Sequence, residues 1–339
     1  MWRRWQRILS SSLCSAAAAA ALRGGALREI IRSGPVFEQA KLADLDDFDR
    51  WERLGSQLAA SLKLSSPEEE KVRVYWLYLP VYEWIRRAAA GRSRPLFVGL
   101  QCPQGGGKTT MCDAIGQLFE AEGASCAVVS IDDFYKTHAD LEALAARHPD
   151  NPLLHGRGLP GTHDPELARS TLDALFAANS AVRVPRYDKS ARAGRGDRRP
   201  RTDWPEVKPN VDVVLLEGWC LGFQPRPPNA VDDPRMRVVN EYLRTDLAPI
   251  YERFDAFITI QVPDLRVVYA WREQAERPLR DRGEGAMTPD QVRTFVDRYM
   301  PCYHQYIDAL YATDLVPGAT LRIAIDAHRR PIRWTDPRT

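Results

Sequence analysis

The stretch Gln104-Gly105-Gly106-Gly107-Lys108-Thr109-Thr110 combines residue types and spacing that could do chemistry on a phosphate. Glycines let successive backbone N–H groups converge on phosphate oxygens, and a helix beginning just beyond them adds positive potential from its unpaired first-turn amides. Lys108 is spaced to reach β- and γ-phosphates, and Thr109 to ligate Mg²⁺. In the pattern G-x-x-x-x-G-K-[ST] the first glycine falls where this chain has Cys102. Gly105, Gly106 and Gly107 still leave three permissive positions. The competing reading is a glycine-rich turn with an incidental lysine. Against it, the apolar run Leu96 to Leu100 precedes the loop, and Met111, Ile115, Leu118 and Phe119 come after it at helical spacing. Strand, loop and helix come in the order that binding ATP and Mg²⁺ requires.

Three acids end apolar runs elsewhere. Asp132 and Asp133 follow Cys126 to Ile131, and Glu217 closes Val211 to Leu216. One such carboxylate could orient Mg²⁺ or its water, and one could take a proton from an attacking hydroxyl. Taken singly, each could equally be a helix cap. Between these runs lies a basic insert holding Gly161-Thr162-His163-Asp164, then Pro185 to Ser190, then Gly194 to Arg199. A small anionic substrate needs cations for its charge and polar groups for its hydroxyls, so His163, Asp164, Arg186, Tyr187, Lys189, Arg195 and Arg198 are candidate contacts. The alternatives are a solvated basic loop or a nucleic-acid patch; with only Tyr187 and Trp204 as interleaved aromatics, nucleic acid is disfavoured. Trp271 to Arg277 reads as a helix, and Pro278 to Gly285 as a mobile charged loop. Residues 271–286 could thus form a lid that brings Arg272 to the phosphates, the alternative being a solvent-facing ion-pair helix.

These groups need a frame. Apolar runs at 96–100, 126–131, 211–216, 257–262 and 321–325, separated by helical stretches, are expected of parallel strands buried on both faces. They predict an α/β fold with a doubly wound, mostly parallel sheet and ligands at the carboxyl ends of its strands. Residues 29–92 read as an N-terminal helical layer. Its clearest start is the capping box Ser66-Pro67-Glu68-Glu69, and Pro80 should kink the aromatic helix that this box opens. A second capping box, Thr288-Pro289-Asp290-Gln291, opens a long helix whose face of Val292, Phe295, Val296, Tyr299, Tyr303 and Ile307 belongs to the core. The domain boundaries are then a leader 1–28, the helical layer 29–92, and a core 93–339 with a substrate insert 155–205.

Composition bounds the rest. The 339 residues are 44% hydrophobic and 27% charged with a net charge of +2, which excludes disorder and collagen-like repeats. Residues 1–28 hold five Arg and no acid, so the remainder is slightly acidic and is no nucleic-acid binder by bulk charge. That leader has the composition of an organelle transit peptide; an ordinary N-terminal helix is the alternative. The six cysteines form no C-x-x-C pair and are expected as reduced thiols. The longest run of small apolar residues, Ala16 to Leu22, is far short of a membrane span.

PQGGGKTT, SIDDFY, GTHD, PRYDKSARAGRGDR, WPEV, EGWCLGF, WREQAE and MTPDQVRTFVDRYMPCYHQY occur in the order found in plant and algal D-glycerate 3-kinases. The chain resembles that family from about Asp44 to Arg329. PRYDKS with GRGDR and the terminal YMPCYHQY are its most specific parts, while SIDDFY and EGW are shared loosely with uridine kinases, phosphoribulokinases and pantothenate kinases. The resemblance implies a fold of P-loop kinase type and transfer of phosphate from ATP to D-glycerate, giving 3-phosphoglycerate as the closing step of photorespiration in plastids. It makes Asp132 the general base and links Glu217 to Mg²⁺. Among Arg186, Lys189, Arg195 and Arg198 are the cations that would hold the glycerate carboxylate. The expected enzyme is a monomer with no nucleic-acid or membrane partner, in the plastid or else the cytoplasm. Two alternatives stay open: a related kinase for another small hydroxylated metabolite, and a noncatalytic ATP-dependent switch.

Overall fold

In the computed structural model the described residues are 25–333 apart from 43, 44, 46 and 284. Six strands make the central sheet: β1 (Leu96–Gln101), β2 (Cys126–Ser130), β3 (Val213–Gly218), β4 (Ala256–Gln261), β5 (Thr320–Ile325) and β6 (Pro331–Ile332), in the order β6-β5-β4-β1-β3-β2. The first five are parallel, and β6 turns back antiparallel on β5. From β1 the chain crosses to β2, returns through β3 between them, then moves to β4 on the other side of β1. The crevice outside the carboxyl end of β1 is therefore the switch point where such sheets bind ligands.

The strands read as continuous apolar runs because both faces are covered. Leu96, Val98 and Leu100 pack with Val213, Leu215, Ile258 and Ile323 on one face. Phe97 packs with Val214, Leu216, Val129 and Phe257 on the other. The predicted strands thus form within two residues of the expected bounds. The short β6, too brief to register as an apolar run, follows a turn built by Asp326, whose Oδ1 accepts from the backbone amides of His328 and Arg330 at 2.8 and 2.9 Å.

The N-terminal layer covers the first face. Helices Gly25–Ser33, Pro35–Gln39, Phe48–Ser61 and Leu79–Ala89 share one core with that side of the sheet and with helix Lys108–Ala121. Ser66 caps as expected, accepting from Glu69 N at 3.2 Å, but the Glu69 carboxylate reaches the amide and hydroxyl of Ser65, leaving half of a capping box. Ahead of Pro80 the helix widens to π turns over Lys71–Tyr78, with Leu79 N–H bonding Val74 O, which makes room for the proline ring. Glu83, buried in this layer, accepts from Arg50 at 2.5 Å, Arg86 at 2.8 and 2.9 Å, and Arg87 at 3.0 Å. Burial alone would raise its pKa, but these guanidinium groups hold it below the usual carboxylate range.

Two helical expectations are revised. The helix Val267–Asp281 runs through Pro278, so the first half of the segment expected as a loop, 278–281, is helical. The long C-terminal helix is two, Pro289–Asp297 and Met300–Ala312, because Pro301 has no N–H for the carbonyl of Asp297. The Thr288–Gln291 capping box forms in full. No helix among the described residues is long and apolar enough to cross a membrane.

The expected leader lies outside the described residues as far as 24, yet its last four residues begin helix Gly25–Ser33, whose Leu27 and Ile31 are fully buried. The folded body therefore starts before residue 29. Leu27→Ala and Ile31→Ala should each cost about 2 kcal/mol or more in chemical denaturation, whereas deleting residues 1–24 should leave the denaturation midpoint unchanged.

Candidate active site

β1 ends on Gln101, whose amide nitrogen donates to Trp219 O at 3.1 Å and whose carbonyl oxygen accepts from the Thr259 hydroxyl at 2.9 Å. This buried bridge ties the ends of β1, β3 and β4 together just where the glycine loop leaves the sheet. Gly105 (φ +81°) lies under Trp271: a Cβ there would sit 2.6 Å from the Trp271 Cβ. At Gly106 a Cβ would meet Cys102 Sγ at 2.3 Å. Cys102 therefore fills the space beneath the loop that Gly106 leaves, and the two residues are complementary. Burial pushes its thiol up to about 12, so it packs as a small apolar group.

Gly107 (φ +96°) precedes helix Lys108–Ala121 with no side-chain cap, and a Cβ there would find no atom nearer than Arg329 Cδ at 4.0 Å. The helix N-terminus is thus open on the side where a Gly107 side chain would extend. Gln104 N–H is held by the Tyr303 hydroxyl at 3.0 Å. Arg329 donates to Gly105 O at 2.7 Å while lying over the Trp271 ring at 4.8 Å. Lys108 and Thr110 are half-buried and Thr109 is exposed.

The adjacent acids after β2 point to different tasks. Asp133 is a structural clasp: it accepts from Arg186 Nη1 at 2.9 Å and from Tyr187 N at 3.0 Å, fastening the insert to the sheet. Asp132 accepts from the Tyr135 hydroxyl at 2.8 Å on Oδ1 and from Lys189 Nζ at 2.5 Å on Oδ2. Burial would raise its pKa, but Lys189, with Lys108 and Tyr135, outweighs that and holds it at about 2. Glu217, within β3 between Leu100 and Ser130, is 7% exposed with Oε2 unpartnered. Burial raises its pKa, while nearby Lys108 pulls it down. An orphaned carboxylate oxygen beside an open phosphate loop fits a hydrated Mg²⁺ held mainly by phosphates. Among the described residues no group of three or more His, Cys, Asp or Glu could hold a metal by itself.

The insert candidates separate into those near Asp132 and those committed elsewhere. Lys189 reaches Asp132. Tyr187 is buried, packed edge-on to Tyr135 at 5.3 Å. His163 is 1% exposed and stacked on Tyr135 at 4.5 Å, with both ring nitrogens unpartnered. Burial pushes it down to about 4, so at neutral pH it is an uncharged plate behind Tyr135, not a contact for a soluble substrate. Asp164 caps helix Pro165–Ala177 and pairs with Arg198 at 2.9 Å; Arg198 also donates to Tyr135 O. Arg186 and Arg198 are thus neutralised within the protein, which removes the expected grounds for assigning them to a substrate anion. Arg195 lies exposed beside Glu142 at 3.5 Å. Arg272 pairs with Glu276 and lies over the Phe295 ring at 4.9 Å, so the side chain this helix brings to the phosphate loop is Trp271.

Trp219, Tyr303 and Arg329 also shape the site. The first two were legible as an aromatic after β3 and as part of a core stripe, but their bonds to the loops were not. Trp219 donates to Gly158 O at 3.2 Å and packs edge-on to Tyr303 at 5.0 Å.

The loop with Lys108, and the carboxylates Asp132 and Glu217, stand at the ends of three adjacent strands, which brings together the residue types that phosphoryl transfer uses. No model of a known protein family matches the chain. It is 38% identical over 331 residues to the chloroplastic D-glycerate 3-kinase of Arabidopsis thaliana, covering 90% of this chain and 72% of that one. It is 36% identical over 275 residues to the probable ATP-dependent kinase TDA10 of Saccharomyces cerevisiae, covering 74% and 90%. The solved D-glycerate 3-kinase of Cryptococcus neoformans superposes with a TM-score of 0.69 at 31% identity, over 76% of this chain and 97% of that one.

Gly106→Ala should weaken binding of a nonhydrolysable ATP analogue by on the order of 10-fold or more in calorimetry, because the loop must shift to clear Cys102. Pairing it with Cys102→Gly should recover part of that loss; an additive double variant would contradict the complementarity.

Proposed function

Because the chain belongs to the D-glycerate 3-kinase family, we propose that it transfers the γ-phosphoryl group of ATP to D-glycerate, yielding 3-phospho-D-glycerate. The observation that carries this reading is an ionised Asp132 at a strand end, with Lys108 close enough to help lower its pKa, beside a glycine loop that is open at Gly107, where the helix begins.

The loop amides of Gly105 to Thr110 and the Lys108 ammonium would hold the polyphosphate and answer charge on the transferring group. Thr109 and the free Oε2 of Glu217 would hold Mg²⁺ or its water; the ion supplies further charge neutralisation at the β- and γ-oxygens. Asp132 would accept the hydrogen bond of the glycerate 3-hydroxyl and aim its oxygen at phosphorus. A carboxylate held at about 2 is a weak base, so it orients the hydroxyl first and takes its proton late, as the new O–P bond forms. Lys189 at 2.5 Å keeps Asp132 ionised.

Residues 1–24, rich in Arg and Ala and free of acids, would act as a plastid address, and the enzyme would serve photorespiration there. Their composition supports this, as does a relative named as chloroplastic. Fused to a fluorescent reporter they should direct it to the plastid; a cytosolic reporter would contradict that location.

D-glycerate should be phosphorylated with a kcat/KM far above those of uridine, pantothenate and ribulose 5-phosphate. Lys108→Ala and Asp132→Asn should each lower kcat by on the order of 10² or more. Only the lysine change should also weaken ATP binding. Asp133→Asn should instead lower Tm with a smaller effect on kcat, and a larger kcat loss at Asp133 would shift the base by one residue.

A further inference from the structure

Two guanidinium groups beside the insert carry charge that no carboxylate answers among the described residues. A cavity of about 500 Å³ lies between helix His138–Arg147, residues 155–157, the turn at 194–195 and helix Pro289–Asp297. Its wall presents Arg157, Arg195 and Arg298 with Phe295, and Glu142 is the one acid among the described residues that line it. Glu142 lies near Arg195. Arg157 lies over the Tyr187 ring at 5.9 Å and its hydrogen bonds all go to carbonyls: Nη1 donates to Gly194 O at 2.8 Å and to Arg195 O, and Nη2 to Lys189 O at 3.3 Å. Arg298 Nη1 donates to His155 O at 2.8 Å and its Nη2 to Arg157 O, while its Nε is buried without a partner. By contrast Arg186, Lys189, Arg192 and Arg198 each face an aspartate.

Cations held in fixed orientation by backbone carbonyls, half-buried and with donors to spare, are prepared for an anion from outside the protein. Their backbone connections to Asp132 point to which anion. Arg157 is followed by Gly158, whose carbonyl oxygen lies 3.4 Å from the Tyr135 hydroxyl that donates to Asp132. The third bond of Arg157 goes to the backbone of Lys189, whose ammonium holds the other Asp132 oxygen. The cationic wall and Asp132 are thus braced by the same two segments.

We infer that Arg157 and Arg298 bind the carboxylate of the acceptor and thereby select a hydroxy acid over a neutral polyol. This rests on the reading of the site as a glycerate kinase. It moves the carboxylate contact from the expected set of Arg186, Lys189, Arg195 and Arg198, each of which has an acidic partner, to two residues with none among the described residues. A neutral acceptor would leave both guanidinium groups partly desolvated and unanswered, which is the basis of discrimination.

The test compares kcat/KM for D-glycerate with that for D-glyceramide, its uncharged amide, in wild type, Arg157→Gln and Arg298→Gln. Wild type should prefer the acid by roughly 100-fold, and each variant should cut that ratio by about 10-fold or more while KM for ATP stays within about two-fold. Since Arg157 also braces the insert, the ratio is the decisive quantity: disorder would depress both substrates alike. A ratio unchanged in both variants, with glycerate still turned over by wild type, would overturn the inference alone. A wild type that phosphorylates neither compound would overturn the glycerate reading and this inference with it.

Discussion

Much of the site depends on the ion pair between Asp132 and Lys189. An aspartate at the end of a buried strand would ordinarily be penalised for its charge; here an ammonium at 2.5 Å, with Lys108 nearby, keeps it ionised. The pair joins parts of the chain 57 residues apart, the sheet and the basic insert. It holds only if the insert is docked, and docking is the work of Asp133, which takes the Arg186 guanidinium and the Tyr187 amide. Two neighbouring acids therefore divide the labour: one fixes the loop, and the other is left to face the crevice with its partner lysine.

The sheet supplies the rigidity this arrangement needs. Because β3 lies between β1 and β2, Glu217 is set between the glycine loop and Asp132, so the three groups come from three adjacent strand ends. The N-terminal helices cover one face of that sheet and pack on the helix that follows the loop, which seats the loop from behind. Trp271 and Arg329 close on it from the other side, one against Gly105 and the other on its carbonyl.

The parallel strands were legible because burial on both faces leaves uninterrupted apolar runs, and the phosphate loop because its chemistry is local in sequence. Asp132, Lys108 and Glu217 were legible as types of residue at strand ends. The amino-acid order could not disclose which charges are spent inside the protein. Arg186, Arg198 and Asp164 looked like substrate contacts because their partners are 34 to 53 residues away. His163 looked polar and proved to be a buried plate, since only the fold brings Tyr135 over it. Arg157 carried no signal of its own: its significance is the absence of a carboxylate around it among the described residues, a property of the folded insert. The proline at 278 was misleading for a related reason, as tertiary packing of Trp271 and Glu276 carries the helix past it.

The central claim is that Asp132 aims the terminal hydroxyl of a three-carbon acid at the phosphate held by the glycine loop. The most direct measurement is the position of the transferred phosphate, read by ¹³C and ³¹P NMR on the product of the full chain with MgATP and ¹³C-labelled D-glycerate. The account predicts phosphorus coupling to C3 and C2 with none to C1, and a proton-coupled ³¹P triplet from the two hydrogens on C3. Coupling to C1 with a ³¹P doublet, or no phosphorylated glycerate at all, would contradict it.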